Sequence, residues 1–434
     1  MGSSWSSCCD ASVVGSIEQT SSQAPSKITD LDALREQLAT MESDREAQDQ
    51  LFQSLQSSGS IMIATLSIHE QDQARQMKMV GYLRALLALR VWTEDVMLVK
   101  PDECKFFVFS ASPSALLAAA LQLASLAESF PSWLTSVAPE FTDVPLPIVK
   151  IGIEAGEVLL LPGDCYGDPV NVASKLGEDL AEDGQLCLGA KFADLAGGDM
   201  EAARLLKPLE RVEACTEISN VKLQYSKARL CATGLPAASS LPGCMELEPA
   251  LESSGFREDP CSESRAVFVS DMSGFTSLTK KCGILHYLRL VLNVRSIFKA
   301  LMQDYGGQIV KYDGDNIIAT FPTCHDALKC TEKAWDKVVE YNSSREKDFQ
   351  IRMGCALSYG DVLLQGAEIM GDAFELAFHL AEEVSEVTEV LVTQRFKERI
   401  LADDHLSAKF RVSDERLAEH KLHGRLSHHS ITFD

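Results

Sequence analysis

The sequence predicts an α+β protein made of one unit used twice, two ferredoxin-like βαββαβ domains in tandem. Three observations carry that expectation. A glycine pair recurs at one spacing, Gly156 to Gly167 in the first half and Gly360 to Gly371 in the second. A lysine-bearing strand-turn-strand segment precedes each pair, and a stretch rich in Gly and Pro separates two bodies of similar length.

The elements follow in order. Residues 1–27 are Ser-rich and read as a disordered tail. Thr29-Asp30 offers an N-cap, and Leu31, Leu34, Leu38 and Met41 recur at helical spacing, which predicts an N-terminal helix within 28–56. The first domain is expected over 57–232, a linker over 233–264 and the second domain over 265–434. Gly156-Glu-Val-Leu-Leu-Leu leads to Gly167-Asp-Pro-Val-Asn-Val-Ala-Ser-Lys-Leu176, as Gly360-Asp-Val-Leu-Leu-Gln leads to Gly371-Asp-Ala-Phe-Glu-Leu-Ala-Phe-His-Leu380. Upstream, Leu98 to Phe109 parallels Ile309 to Phe321 with one residue deleted. In the second copy, Ala266 to Ser270 reads as a short buried strand, and Leu285, Leu288, Leu292, Phe298 and Leu301 trace a helix ending near Gly306-Gly307. Ile309 to Phe321 reads as two strands joined at Asp313-Gly314, a dipeptide suited to a type I′ turn. A helix over 324–340, a strand pair within 350–366 and a helix from 372 complete a sheet with helices on one face.

Composition narrows the functional classes. The net charge is -23 and Lys and Arg are not clustered, which argues against nucleic acid as a partner. Thirteen cysteines without a C-x-x-C pair indicate neither a zinc site nor a disulfide scaffold, and fit a reducing, cytosolic setting. No apolar run approaches the roughly 18–20 residues of a spanning helix; the richest, Ala115 to Ala127, is broken by Gln122 and Ser125 and reads as a buried helix. The N-terminus fits the pattern for myristoylation of Gly2, and Cys8 and Cys9 offer a second acylation that would make membrane attachment stable. The expected location is cytoplasmic, peripheral on the inner face of a plasma or ciliary membrane. A chance match within a Ser-rich tail is the competing reading.

Two aspartates stand out chemically. Asp271 closes the strand Ala266-Val-Phe-Val-Ser-Asp271, and Asp315 follows the tight turn in Lys311-Tyr-Asp-Gly-Asp315. Convergent aspartates without His or Cys favour a hard, oxygen-loving cation, Mg²⁺ or Mn²⁺, that takes phosphate oxygens as further ligands. Ser270-Asp-Met-Ser-Gly-Phe-Thr276, Lys311-Tyr-Asp-Gly-Asp315 and Gly167-Asp-Pro-Val-Asn-Val-Ala-Ser-Lys175 together resemble motifs of the class III adenylyl and guanylyl cyclase family, over about 60–232 and 264–400.

The resemblance implies two cyclase domains paired head to tail within one chain, with each site shared between them. It implies that Asp271 and Asp315 hold two Mg²⁺ or Mn²⁺ ions, that Lys100 and Asp164 recognise adenine, and that Asn171 orients the ribose. Lys175 stands where the family uses its transition-state Arg, and Arg352 near the family's triphosphate-binding Arg. The first copy lacks the strand aspartate and carries Glu103-Cys104 at the second metal position. The second copy keeps its aspartates but has Glu368, Glu375 and His379 at the base, ribose and transition-state positions. The losses are complementary, so pairing leaves one composite site and one expected to be inert. The implied activity is conversion of ATP to cyclic AMP and pyrophosphate, slowly or under regulation because a lysine lacks arginine's planar fork. The alternative is a catalytically inactive pseudoenzyme that binds nucleotide as a regulatory or scaffold protein.

Overall fold

Two capped helices open the computed structural model, which describes residues 30–41, 44–102, 104–218, 221–230, 241–253, 260–402, 410–420 and 423–433. Gly2, Cys8, Cys9 and Glu103 lie outside them. Asp30 caps α1 (Leu31–Thr40), its carboxylate accepting from the Asp32 and Ala33 N–H groups, and Asp44 caps α2 (Arg45–Leu55) by accepting from Ala47 N–H. The N-terminal helix expected within 28–56 is thus two helices.

The first domain runs β1 (Gln56–Ser67), α3 (Gln73–Arg90), β2 (Met97–Asp102), β3 (Lys105–Ser110), α4 (Pro113–Val137), β4 (Ile148–Leu161), β5 (Asp164–Tyr166), α5 (Asp168–Ser174), β6 (Gln185–Gly189), α6 (Ala190–Gly198), α7 (Met200–Leu206), β7 (Arg211–Ile218) and β8 (Val221–Arg229). Helix α8 (Cys244–Ser253) follows, burying Leu247 and Ala250 in the first domain's core. The second domain runs β9 (Cys261–Met272), α9 (Phe275–Cys282), α10 (Ile284–Asp304), β10 (Gln308–Asp313), β11 (Asn316–Phe321), α11 (Cys324–Asn342), β12 (Met353–Gln365), β13 (Glu368–Met370), α12 (Asp372–His379), β14 (Val390–Thr393), α13 (Gln394–Leu401), β15 (Phe410–Val412), β16 (Arg416–His420) and β17 (Gly424–Phe433).

Both sheets are α+β with the ferredoxin-like order at their centre: β2-β3-β1-β4 in the first and β10-β11-β9-β12 in the second, antiparallel throughout. Each is extended by a strand parallel to the long β4 or β12, then by antiparallel strands. The central strands are apolar on both faces, so both faces need cover. Met62, Ala64 and Leu66 of β1 pack in the core with α3 and α4, while Ile61 and Ile63 pack on the opposite side with Val170 and Ala173 of α5. In β9, Ala266 and Phe268 likewise alternate with Val267 and Val269, which meet Ala373 and Ala377 of α12. Helices therefore cover two faces rather than the one expected.

Three local expectations also change. The turn joining β10 and β11 has Gly314 and Asp315 as its central pair, closed by Asp313 opposite Asn316. Only Gly314 takes a positive φ, +58°, so the turn has the glycine-first pattern of type II′ rather than I′. Ser60 pairs with Ser110 and Ala266 with Phe321, so the two copies run through this hairpin without the deletion read from the sequence. Helix α4 spans 25 residues and is long and apolar enough by composition to cross a membrane, but its Leu116, Leu123, Phe130 and Leu134 are buried in the first domain's core.

The two halves meet through charge and through leucine. Lys100 Nζ donates to Asp313 Oδ1 at 2.7 Å, and Lys311 Nζ donates to Asp102 Oδ1 at 2.5 Å. Arg84 donates to Glu368 at 2.7 Å and Arg295 to Asp164 at 3.3 Å. Arg84 stands before Lys100 as Arg295 stands before Lys311, and β5 opens on Asp164 as β13 opens on Glu368, so the four pairs are two copies of one reciprocal arrangement. Burial would raise Asp102, but the charge and hydrogen bond of Lys311 more than offset it and hold the carboxyl low. The N-terminal helices cover one edge of this junction: Leu34 and Leu38 are buried with Leu159, Leu161 and Tyr166 of the first domain and Leu285, Leu288 and Leu292 of α10.

Removing one member of a buried pair leaves a charge without compensation. Lys311→Met is expected to lower unfolding free energy by about 3–5 kcal/mol, measured in urea, and adding Asp102→Leu to it should recover much of that loss. Equal losses in the single and double variants would count against the pairing as described.

Candidate active site

Asp271 sits at the end of β9 on the strand face that carries Val267 and Val269, and a π-helical turn over Leu380–Val384 continues α12 beneath that face. Asp315 is set by the glycine-first turn. Tyr287 of α10 fixes it, donating from Oη to Asp315 Oδ2 at 2.5 Å. Asn316 then donates through Nδ2 to Glu382 of the π turn at 2.5 Å. Burial, then Asp315, then Glu382 push the Asp271 carboxyl from the ordinary 3.8 up to about 7. Burial is also the first cause raising Asp315 and Glu382, with Asp313 adding to both. Two half-buried carboxylates and the more exposed Glu382, all raised by one another's neighbourhood, are a donor set a hard divalent cation would relieve.

The first half shows the same place without the carboxylates. Thr65 faces Lys150 in β4 as Asp271 faces Gly354 in β12, at the same distance from Gly156 and Gly360. Cys104 stands in the hairpin where Asp315 stands, and Lys105 pairs with Glu178 at 2.8 Å where Asn316 meets Glu382. A lysine ammonium thus sits beside the surviving glutamate of the first half. The residues of the second half fit a metal ion and those of the first do not.

Lys100 and Asp164 are brought to the same turn. Asp164 accepts from Cys165 N–H at 3.0 Å, from Tyr166 Oη at 2.9 Å and from Arg295 at 3.3 Å. Burial would lower Lys100, but the charges of Asp164 and Asp313 outweigh it and keep the ammonium protonated. Tyr166 Oη and Arg295 also donate to the Gly314 carbonyl, at 3.3 Å and 2.5 Å, so β5 of the first half is tied to the loop that carries Asp315. Both groups read as base-recognising are engaged by charged partners here.

The other expected residues take no part in these contacts. Asn171 of α5 lines a cavity of about 470 Å³ bounded by α2, α5 and α9, with Gln48, Phe275 and Lys280 in its wall. Asp271 and Asp315 are outside that lining; α9, which begins just past Asp271, is what the two regions share. Lys175 is half-exposed and donates to Asp179 of its own turn at 2.7 Å. Arg352 is half-buried before β12, its carbonyl accepting from Ser273 N–H at 2.8 Å in the loop after Asp271.

Arg295, Tyr287, Asp313 and Glu382 were not found by sequence reasoning. Tyr287 and Arg295 lie two turns apart on one face of α10, inside a run read only for its leucines, and both are buried. A charged residue within an otherwise apolar helical stripe was the available signal.

The raised Asp271 carboxyl has a measurable consequence. Its folded pKa lies above the unfolded one, so the protonated site stabilises the fold below about pH 4, and that contribution is lost as pH rises through about 7. Without divalent cations the Tm is expected to fall between about pH 5 and 8. Asp271→Asn should flatten that slope, and saturating Mn²⁺ should restore the Tm at the upper end. An unchanged slope in Asp271→Asn would remove this carboxyl as its source.

No family model and no curated protein matches the chain. Among solved structures, it is similar to an adenylate/guanylate cyclase/hydrolase from Silicibacter pomeroyi at 24% identity, over 40% of this chain and 99% of that one, with a TM-score of 0.34. It is similar to a class III adenylyl cyclase-like ATP-binding protein from Pseudomonas aeruginosa at 13% identity, over 79% and 85%, with a TM-score of 0.47. A guanylate cyclase domain from Catenaria anguillulae, solved in complex with GTP, is 17% identical over 40% and 98%, with a TM-score of 0.34.

Proposed function

We propose that this chain is an adenylyl cyclase, converting ATP to cyclic AMP and pyrophosphate at one composite site between its halves. The observation that supports this most is the meeting of unlike contributions at one turn. Asp271 and Asp315 come from the second half, Asp164 and Lys100 from the first, and Gly314 joins them through Tyr166 and Arg295.

Asp271 and Asp315 would hold two Mg²⁺ or Mn²⁺ ions, which when bound neutralise the triphosphate and acidify the ribose 3′-hydroxyl. The 3′-oxygen attacks the α-phosphorus, its proton leaves, and the bond to pyrophosphate breaks. Asn171 holds the ribose so that the oxygen lies in line, Arg352 meets the triphosphate, and Lys175 supplies positive charge as the leaving group departs. Lys175 must first release Asp179, and adenine must compete with Arg295 for Asp164 and with Asp313 for Lys100. These competitions favour slow or regulated turnover. Acylation at Gly2 and at Cys8 or Cys9 would place the enzyme on the cytoplasmic face of a membrane.

The same competitions favour a second reading, a pseudoenzyme whose base-recognising groups serve only to lock the halves together. Activity separates the two. With Mn²⁺ and ATP, the full-length protein should form cyclic AMP. Asp271→Asn should reduce it to background, Asn171→Ala should lower kcat by about a hundredfold, and Lys175→Arg should raise it. Absence of product above the Asp271→Asn background would leave the pseudoenzyme.

A further inference from the structure

The second half carries another constellation, at the place where its ribose and transition-state positions have changed. Asp372 and Glu375 occupy the first turn of α12, and His423 lies in the turn between β16 and β17. One ligand atom from each falls within 4.8 Å of the other two, and His423 Nε2 stands 3.2 Å from Glu375 Oε2. Behind them the rings of His423, His420 and His379 form a row, with centroids 4.8 Å and 4.6 Å apart. His379 is nine-tenths buried, and its Nε2 has no hydrogen-bond partner among the described residues.

We propose that Asp372, Glu375 and His423 form a binding site for a divalent transition-metal ion of the zinc class, backed by the imidazoles of His420 and His379. The donor set is mixed. An imidazole beside carboxylates selects zinc, cobalt or nickel over magnesium, whereas the all-carboxylate group at Asp271 suits the harder ions. Three protein ligands leave a fourth position for water or an anion. The first half has Asp168, Asn171 and Lys175 on the matching helix, and the strands of its equivalent hairpin, β7–β8, carry no histidine. Two features peculiar to the second half, the altered helix and the histidines of the hairpin, thus coincide at one spot. Metal there would pin the β16–β17 hairpin to α12, and so to the π turn that carries Glu382. The proposal stands whether or not the composite site turns over ATP.

The test is metal content and spectroscopy on the full chain. Metal-free protein is dialysed against Zn²⁺ or Co²⁺, the bound ion counted, and the visible absorption of the cobalt form recorded. Wild type should hold about one equivalent more than His423→Ala and show strong tetrahedral cobalt bands that His423→Ala and Glu375→Gln lose. Asp271→Asn should keep both. Loss of a direct ligand should weaken binding by at least about 10–100-fold. Equal metal content and spectra in wild type and His423→Ala, or bands lost in Asp271→Asn instead, would overturn the site. His423 is exposed on a turn, so its replacement should leave the fold intact by circular dichroism, and Glu375→Gln gives a second, independent reading.

Discussion

Everything at the candidate site depends on the reciprocal ion pairs that join the two halves. Lys100 reaches Asp313 and Lys311 reaches Asp102, while Arg84 and Arg295 reach Glu368 and Asp164. Buried pairs of this kind gain little net stability, because desolvating the charges offsets much of their attraction. Their contribution is discrimination: any other packing of the two sheets would strand several buried charges. The leucines of α1 and α10 supply the apolar area, and the ion pairs fix the register in which it is buried.

Once register is fixed, the asymmetry of the copies acquires direction. A duplicated unit paired with itself creates two equivalent places. One has the carboxylates of Asp271, Asp315 and Glu382; the other has Thr65, Cys104 and a Lys105–Glu178 pair. The ion pairs that set the register also occupy Lys100 and Asp164, so the contacts that assemble the site compete with the base it is read to bind. On the proposed reading, affinity for a nucleotide would be lowered by whatever holding those pairs contributes to the closed state.

Much of this was legible before any coordinates, and the rest was hidden for physical reasons. Glycine spacing revealed the duplication, because Gly167 and Gly371 take φ values of +139° and +131° and each sits against a strand backbone where a Cβ would clash. The continuous apolar run Ala266–Val269 revealed β9, and so the strand end on which Asp271 lies. Arg84 was not legible, since a charge in an amphipathic helix is normally solvated; Arg295 left only the trace of a charge inside an apolar stripe, and its partner Asp164 comes from the other half. Of the strands after β14, β15 and β16 were missed because they are short, and β17 because the polar run Ser427–Ser430 interrupts its apolar residues and leaves a weak periodic signal. The N-terminal helices could be read as helices but not placed, because their partner surface is built from residues in both halves.

The central claim is that one chain completes its own site, and mixing one inactive and one strongly impaired variant tests it most directly. Asp271→Asn removes a metal carboxylate from the second half, and Asn171→Ala removes the ribose contact from the first. If both belong to one intramolecular site, an equimolar mixture of the two proteins should form no more cyclic AMP than the variants do separately, while wild type at the same concentration is active. Recovery of a substantial fraction of wild-type activity in the mixture would contradict the account, showing that the site is completed by a second molecule.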